Sequence, residues 1–260
     1  KFRAARRMWA RIVRDRFGSS SPRSQMCRFH VQTAGSSLTA QSIDNNVVRT
    51  TVQALSAILG GAQSLHTNAR DEALALPTAE AARLALRTQQ ILAYEAGVTE
   101  TPDPLGGSYY VESLTDALER SALDYLAEIE ALGGTLAALE SGFQQYQIQE
   151  AAYQVQSAIE RGDQVVVGVN KFRDESGRTP PTQRIDPEGE RRQVEGLRQV
   201  RSGRDPGAWA ASLERLEDAA RGTENLLPPM IEAVQAYATV GEISDRLRAV
   251  WGEHRELITI

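Results

Sequence analysis

The feature that most constrains this chain is a repeated order of short strand and amphipathic helix over its first hundred residues. CRFHVQT at 27–33 reads as a strand, followed by a turn at 34–37. Asp44 or Asn45 can then cap a helix whose apolar positions Val48, Val52, Leu55 and Leu59 recur at helical spacing. Gly60 and Gly61 stop it, AQSLHTN at 62–68 reads as a second strand, and Thr78 caps a further helix that Gly97 ends. Strands joined through crossover helices pair in parallel. Two such strands alone leave both sheet edges unpaired, which is not a stable arrangement in water. The segment is therefore expected to complete a larger sheet or barrel, its other strands supplied by another chain or by an amino-terminal segment. The start at Lys1, not Met, leads to the same expectation.

Farther on, TETPDPLGGSYYVE at 99–112 reads as turn-rich and extended, leading into a helix from Thr115 with Leu118, Ala122, Leu126 and Ile129 on one face. Gly133 and Gly134 end it, a helix follows over about Tyr146–Arg161, and VVVGVN at 165–170 reads as a strand. Residues 173–187, with Gly177, Pro180, Pro181 and Pro187, have the composition of a linker. Beyond it the pattern is helical: Asp205 and Pro206 open one helix, and Thr239 with Glu242 forms a capping-box pattern before another.

Composition removes several function classes. A formal charge of −5 argues against nucleic acid as the main partner, since phosphate is bound through clustered Lys and Arg. One basic segment stands out: Lys1, Arg3, Arg6, Arg7, Arg11, Arg14 and Arg16 against Asp15, which is either a solvated helix face or a face for phosphate or a partner. Cys27 is the only cysteine, which precludes an internal disulfide and fits a reducing cytoplasmic or organelle interior. No apolar run reaches the roughly 20 residues of a membrane span, and no signal-peptide pattern opens the chain. His30, His66 and His254 form no close metal pattern, so no metal site is expected, and no P-loop, GxGxxG or GxSxG occurs.

The chemistry-bearing residues cluster on the two strands. Strand alternation puts His30 and Gln32 on one face, and Ser64, His66 and Asn68 on one face of the second strand. In a βα barrel the carboxyl ends of the strands form the catalytic rim. Glu72 follows Asn68 by four residues, so a helical turn there would let amide and carboxylate reach one ligand, a diol such as a ribose suiting both. The same residues also allow plainer roles: His30 as a core histidine, Asn68, Asp71 and Glu72 as turn and capping residues, and DPLGGSYYVE as a turn shaped by Gly106 and Gly107.

Read as whole strings, RFHVQTAGSSLTAQ at 28–41, NNVVRTTVQALSAILGGAQSLHTNARDEALALPT at 45–78, DPLGGSYYVE at 103–112, EIEALGG at 128–134 and VVVGVNKF at 165–172 resemble the coenzyme B12-dependent acyl-CoA mutases, the methylmalonyl-CoA mutase family. TVGEISDRLRAVWGEH at 239–254 is similar to the segment that follows the barrel in that family. The resemblance implies an α/β fold, the carboxyl-terminal part of a (β/α)8 TIM barrel over 1–172, then the linker at 173–187 and a mainly helical extension over 188–260. It implies radical 1,2-rearrangement of an acyl-CoA carbon skeleton, methylmalonyl-CoA to succinyl-CoA first among the possible substrates, with adenosylcobalamin as cofactor. By motif, Gln32, Asn68 and Glu72 would hold the adenosyl ribose region. Gly35 and Ala73 would line the corrin face, and Arg28, His30, Gln63 and Ser64 would face substrate or CoA. No histidine here stands in the DxHxxG context that ligates cobalt in the family, so that ligand is expected from a cobalamin-binding domain or small subunit. An amino-terminal barrel portion is a second expected partner, in an oligomer. The other reading that the resemblance allows is a noncatalytic helical module kept for assembly or regulation.

Overall fold

A computed structural model describes residues 1–174 and 181–254, which fall into two compact units, one ending at Gln183 and one beginning at Arg184. Residues 175–180, inside the expected linker, and 255–260, closing the expected extension, lie outside the described residues.

The first unit is α/β. Its elements are α1 (Phe2–Arg11, continued by a π-helical turn at Ile12–Arg16), α2 (Pro22–Gln25), β1 (His30–Gln32), α3 (Asn45–Leu59), β2 (Ser64–His66), α4 (Ala79–Tyr94), α5 (Tyr109–Ala131), α6 (Thr135–Glu140) and α7 (Phe143–Arg161). β1 and β2 pair in parallel with His30 opposite Ser64, Val31 opposite Leu65 and Gln32 opposite His66. Both strands are shorter than their sequence patterns: past His66 the Asn68 N–H turns to the Thr33 hydroxyl, which donates in turn to Asn68 Oδ1. Val31 and Leu65 are half-buried, whereas His30, Gln32, Ser64 and His66 are exposed on the opposite face. Within this unit His30 is not part of the core.

α3 begins after Asp44 and buries Asn46, Thr50, Ala54 and Ala57, while Val48 and Val52 stay 64% and 58% exposed. α4 is capped by Thr78, whose side chain accepts from the Ala81 N–H at 3.2 Å. α5 starts at Tyr109, not Thr115, so YYVE is helical. Two bonds fix the first turn, one local and one distant: Glu112 accepts the Gly107 N–H at 2.9 Å and pairs with Arg3 at 2.7 Å. Arg3 foremost, with the Gly107 N–H, holds the Glu112 carboxyl down to about 2. Four of the basic residues at 1–16 meet acidic side chains from elsewhere in this same unit. Arg3 pairs with Asp103 and Glu112, Arg7 with Asp116 and Glu119, Arg11 with Glu119, and Arg16 with Glu130.

VVVGVN at 165–170 is not a strand. Val167 bridges only to Lys171, and Gly168, at a φ of +83°, turns the chain so that its N–H reaches the Lys171 carbonyl at 2.8 Å. Asn170 accepts the Val166 N–H at 2.7 Å and donates to the Ile159 carbonyl at 2.9 Å and the Gln164 carbonyl at 2.8 Å, so the segment closes the end of α7.

The second unit is helical: α8 (Pro187–Gly203), α9 (Pro206–Arg221), α10 (Leu227–Gln235) and α11 (Val240–Trp251). α9 packs against both α10 and α11, with Leu213, Leu216, Ala219, Ala220 and Ala233 buried. Asp205 caps α9 through the Gly207 and Ala208 N–H groups, and the capping box of Thr239 and Glu242 is formed. Arg204 lies 4.2 Å over the Trp209 ring and makes two 2.8 Å bonds to the Glu242 carboxylate.

Candidate functional site

Parallel pairing places the carboxyl ends of β1 and β2 side by side, so the loops after them share one rim. Thr33 joins them. Its N–H donates to the His66 carbonyl at 3.1 Å, its hydroxyl donates to Asn68 Oδ1 at 2.6 Å, and that hydroxyl accepts the Asn68 N–H at 2.9 Å. The Asn68 carboxamide is thus held by one end, and its Nδ2, in a side chain only 2% exposed, has no acceptor. Gly35 faces it: a Cβ there would lie 3.1 Å from Asn68 Nδ2 and 3.5 Å from Glu72 Oε1. The three residues form a cradle with an unsatisfied donor, an exposed carboxylate and room left by a missing side chain.

Asp71 shapes the turn that carries Asn68 and Glu72. Its Oδ2 accepts from the Thr78 N–H at 3.0 Å and the Thr78 hydroxyl at 3.1 Å, tying the turn to the first residue of α4's cap. Asp71 Oδ1 is buried without a partner. Asp71 thus has the turn role open to this group of residues, while the cap of α4 is Thr78. Ala73 follows Glu72 and is exposed.

The remaining predicted residues lie along the strands and at their amino ends. His30 Nδ1 is 2.7 Å from Ser64 Oγ, a cross-strand pair on the exposed polar face. Gln32, on that same face, lines a cleft of about 630 Å³ with Thr33, Ala34 and Gln53. Gln63 accepts the Phe29 N–H at 2.7 Å and donates to the Gly61 carbonyl at 2.7 Å. With Arg28 it borders a second cleft of about 910 Å³, into which Arg3, Arg6 and Arg7 also reach. The predicted set therefore separates into a rim cluster of Gly35, Asn68, Glu72 and Ala73, a strand-face group of His30, Gln32 and Ser64, and a basal pair of Arg28 and Gln63.

Thr33 and the α3 residues Asn46 and Gln53 also build the site and were not singled out from the sequence; the signal available was a pair of carboxamides at i and i+7 of α3. Among the described residues no three of His, Cys, Asp and Glu cluster as metal ligands would. Among those residues, too, no helix is long and apolar enough to cross a membrane.

Comparison with known proteins gives a consistent picture. The sequence model described as Methylmalonyl-CoA mutase matches residues 1–253. The 2-hydroxyisobutanoyl-CoA mutase large subunit of Aquincola tertiaricarbonis is 46% identical over 258 residues, 98% of this chain and 46% of that protein. The methylmalonyl-CoA mutase of Rhizobium meliloti (strain 1021) is 47% identical over 256 residues, covering 98% and 36% respectively. The mitochondrial methylmalonyl-CoA mutase of Homo sapiens is 43% identical over 257 residues, covering 98% and 34%. The chain thus spans less than half the length of each of these relatives. A match over nearly its whole length, on a parallel strand–helix–strand unit with polar groups at its rim, means that this chain belongs to the methylmalonyl-CoA mutase family.

Proposed function

We propose that this chain supplies the carboxyl-terminal part of a (β/α)8 substrate-binding barrel, over 1–172, to an adenosylcobalamin-dependent acyl-CoA mutase, with the linker at 173–187 and a helical extension beyond. The observation that carries the reading is the cradle of Gly35, Asn68 and Glu72. A buried N–H without an acceptor costs roughly 1–3 kcal/mol, and a ligand oxygen seated against Gly35 would remove that cost at Asn68 Nδ2. The exposed Glu72 carboxylate beside it accepts hydroxyl protons, so the pair suits a ribose, with Gln32 as a third contact.

When bound, adenosylcobalamin supplies the radical that starts the carbon-skeleton rearrangement, methylmalonyl-CoA to succinyl-CoA being the reaction put first. The chain's own residues bind and orient. Thr33 fixes the Asn68 carboxamide so that its free donor points one way only. Gly35 and Ala73, without bulky side chains, would line the corrin face. His30, steadied by Ser64, faces the acyl-CoA from the strand surface, with Arg28 and Gln63 at the amino end of the strands. A cobalamin-binding domain or small subunit would supply the protein ligand to cobalt. The missing strands come from an amino-terminal barrel portion, and the assembly is an oligomer in a reducing cytoplasmic interior.

The test uses the complete enzyme, whose partners native mass spectrometry identifies, assayed against a panel of acyl-CoA thioesters with added adenosylcobalamin. The expectation is isomerisation of one thioester by the wild type, and loss of turnover by at least about a hundredfold in Asn68→Ala, which loses a neutral donor to the cofactor, and in Glu72→Ala, which loses charge-assisted bonds, with the unfolding temperature unchanged in Glu72→Ala. Wild-type turnover in both variants would remove the cradle from the mechanism.

A further inference from the structure

The cradle works only if the loop bearing Gly35 stands at a fixed height over Asn68 and Glu72, yet that loop carries just a short 3-10 turn at Gly35–Ser37. Its anchors come from α3. Gln53 accepts the Ala34 N–H at 2.7 Å and donates to the Ser37 hydroxyl at 2.7 Å. Asn46 accepts the Thr39 N–H at 3.1 Å and donates to the Thr39 carbonyl at 2.9 Å. Arg49 donates to the Thr39 hydroxyl at 3.0 Å and to Asn46 Oδ1 at 2.7 Å. Positions 46, 49 and 53 are three and four residues apart and so form one stripe along the helix.

Asn46 does more than hold one loop. Its Nδ2 also donates to the Arg70 carbonyl at 2.9 Å, inside the turn between Asn68 and Glu72. A single carboxamide, 0% exposed, therefore bridges both rim loops. A helix serving only to cover a loop would use apolar side chains, and α3 has Val48 and Val52, which it leaves exposed. The polar stripe instead fixes backbone positions one bond at a time.

We propose that Asn46, Arg49 and Gln53 are positioning residues that hold the Gly35 loop against Asn68 and Glu72 and thereby set the cradle's affinity for the adenosyl group. The inference rests on the cradle reading above and deepens it, since none of the three is placed against the ligand.

The experiment compares wild type, Glu72→Ala, Asn46→Ala, Gln53→Ala and Gln53→Glu in the complete enzyme, by adenosylcobalamin titration and by hydrogen exchange without cofactor. Gln53→Ala should weaken binding about fivefold, the loss of one or two hydrogen bonds, and raise exchange at 34–39 alone. Asn46→Ala should weaken it more and raise exchange at both 34–39 and 68–72. Gln53→Glu keeps the acceptor for the Ala34 N–H but loses the donor to Ser37, whose one hydroxyl proton goes to the Ala34 carbonyl, so binding should fall between wild type and Gln53→Ala. Wild-type affinity in the alanine variants, or faster exchange spread evenly over the first unit, overturns the proposal. Should Asn46→Ala not fold, the Gln53 pair decides. If the wild type binds adenosylcobalamin and Glu72→Ala binds it equally well, the cradle reading itself fails, a result distinct from failure of the stripe alone.

Discussion

Among the described residues of the second unit, Glu242 gathers more donors than any other carboxylate: Arg204 through two nitrogens, the Thr239 N–H at 2.8 Å and the Trp209 indole at 3.3 Å. Arg204 chiefly, with the Thr239 N–H and hydroxyl, lowers its pKa from 4.5 to about 2. A folded pKa below the unfolded one means that this stabilisation is complete above pH about 4.5 and is lost as pH falls toward about 2. Glu242→Gln should therefore unfold at a lower temperature than wild type at pH 7, and the gap should close on acidification to pH 2. Removal of the side chain in Glu242→Ala also breaks the capping box, a loss of about 2 kcal/mol by denaturant titration. A contrasting residue in the first unit is Asn68, which is held at Oδ1 by Thr33 and keeps an open donor, the feature on which its proposed binding role rests.

Among elements, the α1–α5 contact turns on Glu119, whose side chain is 6% exposed and receives both Arg7 and Arg11. Arg11→Ala leaves the Arg7 pair in place and should cost under about 1 kcal/mol, whereas Arg7→Ala and Arg11→Ala together leave the carboxylate buried without a counter-charge and should cost about 3 kcal/mol, more than additive by double-mutant cycle. Elements set by local chemistry were legible in the sequence. Thr78, Asp205 and the Thr239–Glu242 box cap their helices because each cap needs only residues within one turn. The strand–helix–strand order was legible for the same reason, from alternation and glycine stops. VVVGVN was not, because β-branched propensity yielded to bonds that Asn170 makes to the end of α7, and nothing in the run announces them. The early start of α5 depends on Arg3, more than a hundred residues upstream. In the site, the four-residue spacing of Asn68 and Glu72 could be read directly, while Thr33, Asn46 and Gln53 act through contacts between loops and helices that no single-strand or single-helix pattern contains.

At the scale of the molecule, the first unit leaves much apolar surface uncovered. Val48, Val52, Tyr109, Tyr110 and Ile148 are each more than half exposed, and among the described residues β1 and β2 pair only with each other. Open parallel edges and apolar faces of this kind bind other chains. Expressed alone, the chain is expected to bind a hydrophobic dye and to elute as large assemblies in gel filtration, and co-expression with the remainder of the enzyme should abolish both; a monodisperse, dye-silent isolated chain would contradict it. The bridge that Asn46 makes between the two rim loops has a consequence for gene architecture. Gly35, the helix that fixes it and Glu72 lie on one unbroken stretch of chain, so fission of the coding sequence before β1 or after α4 leaves the cradle on a single polypeptide, while fission within α3 would place its halves on two products that could rejoin only by diffusion.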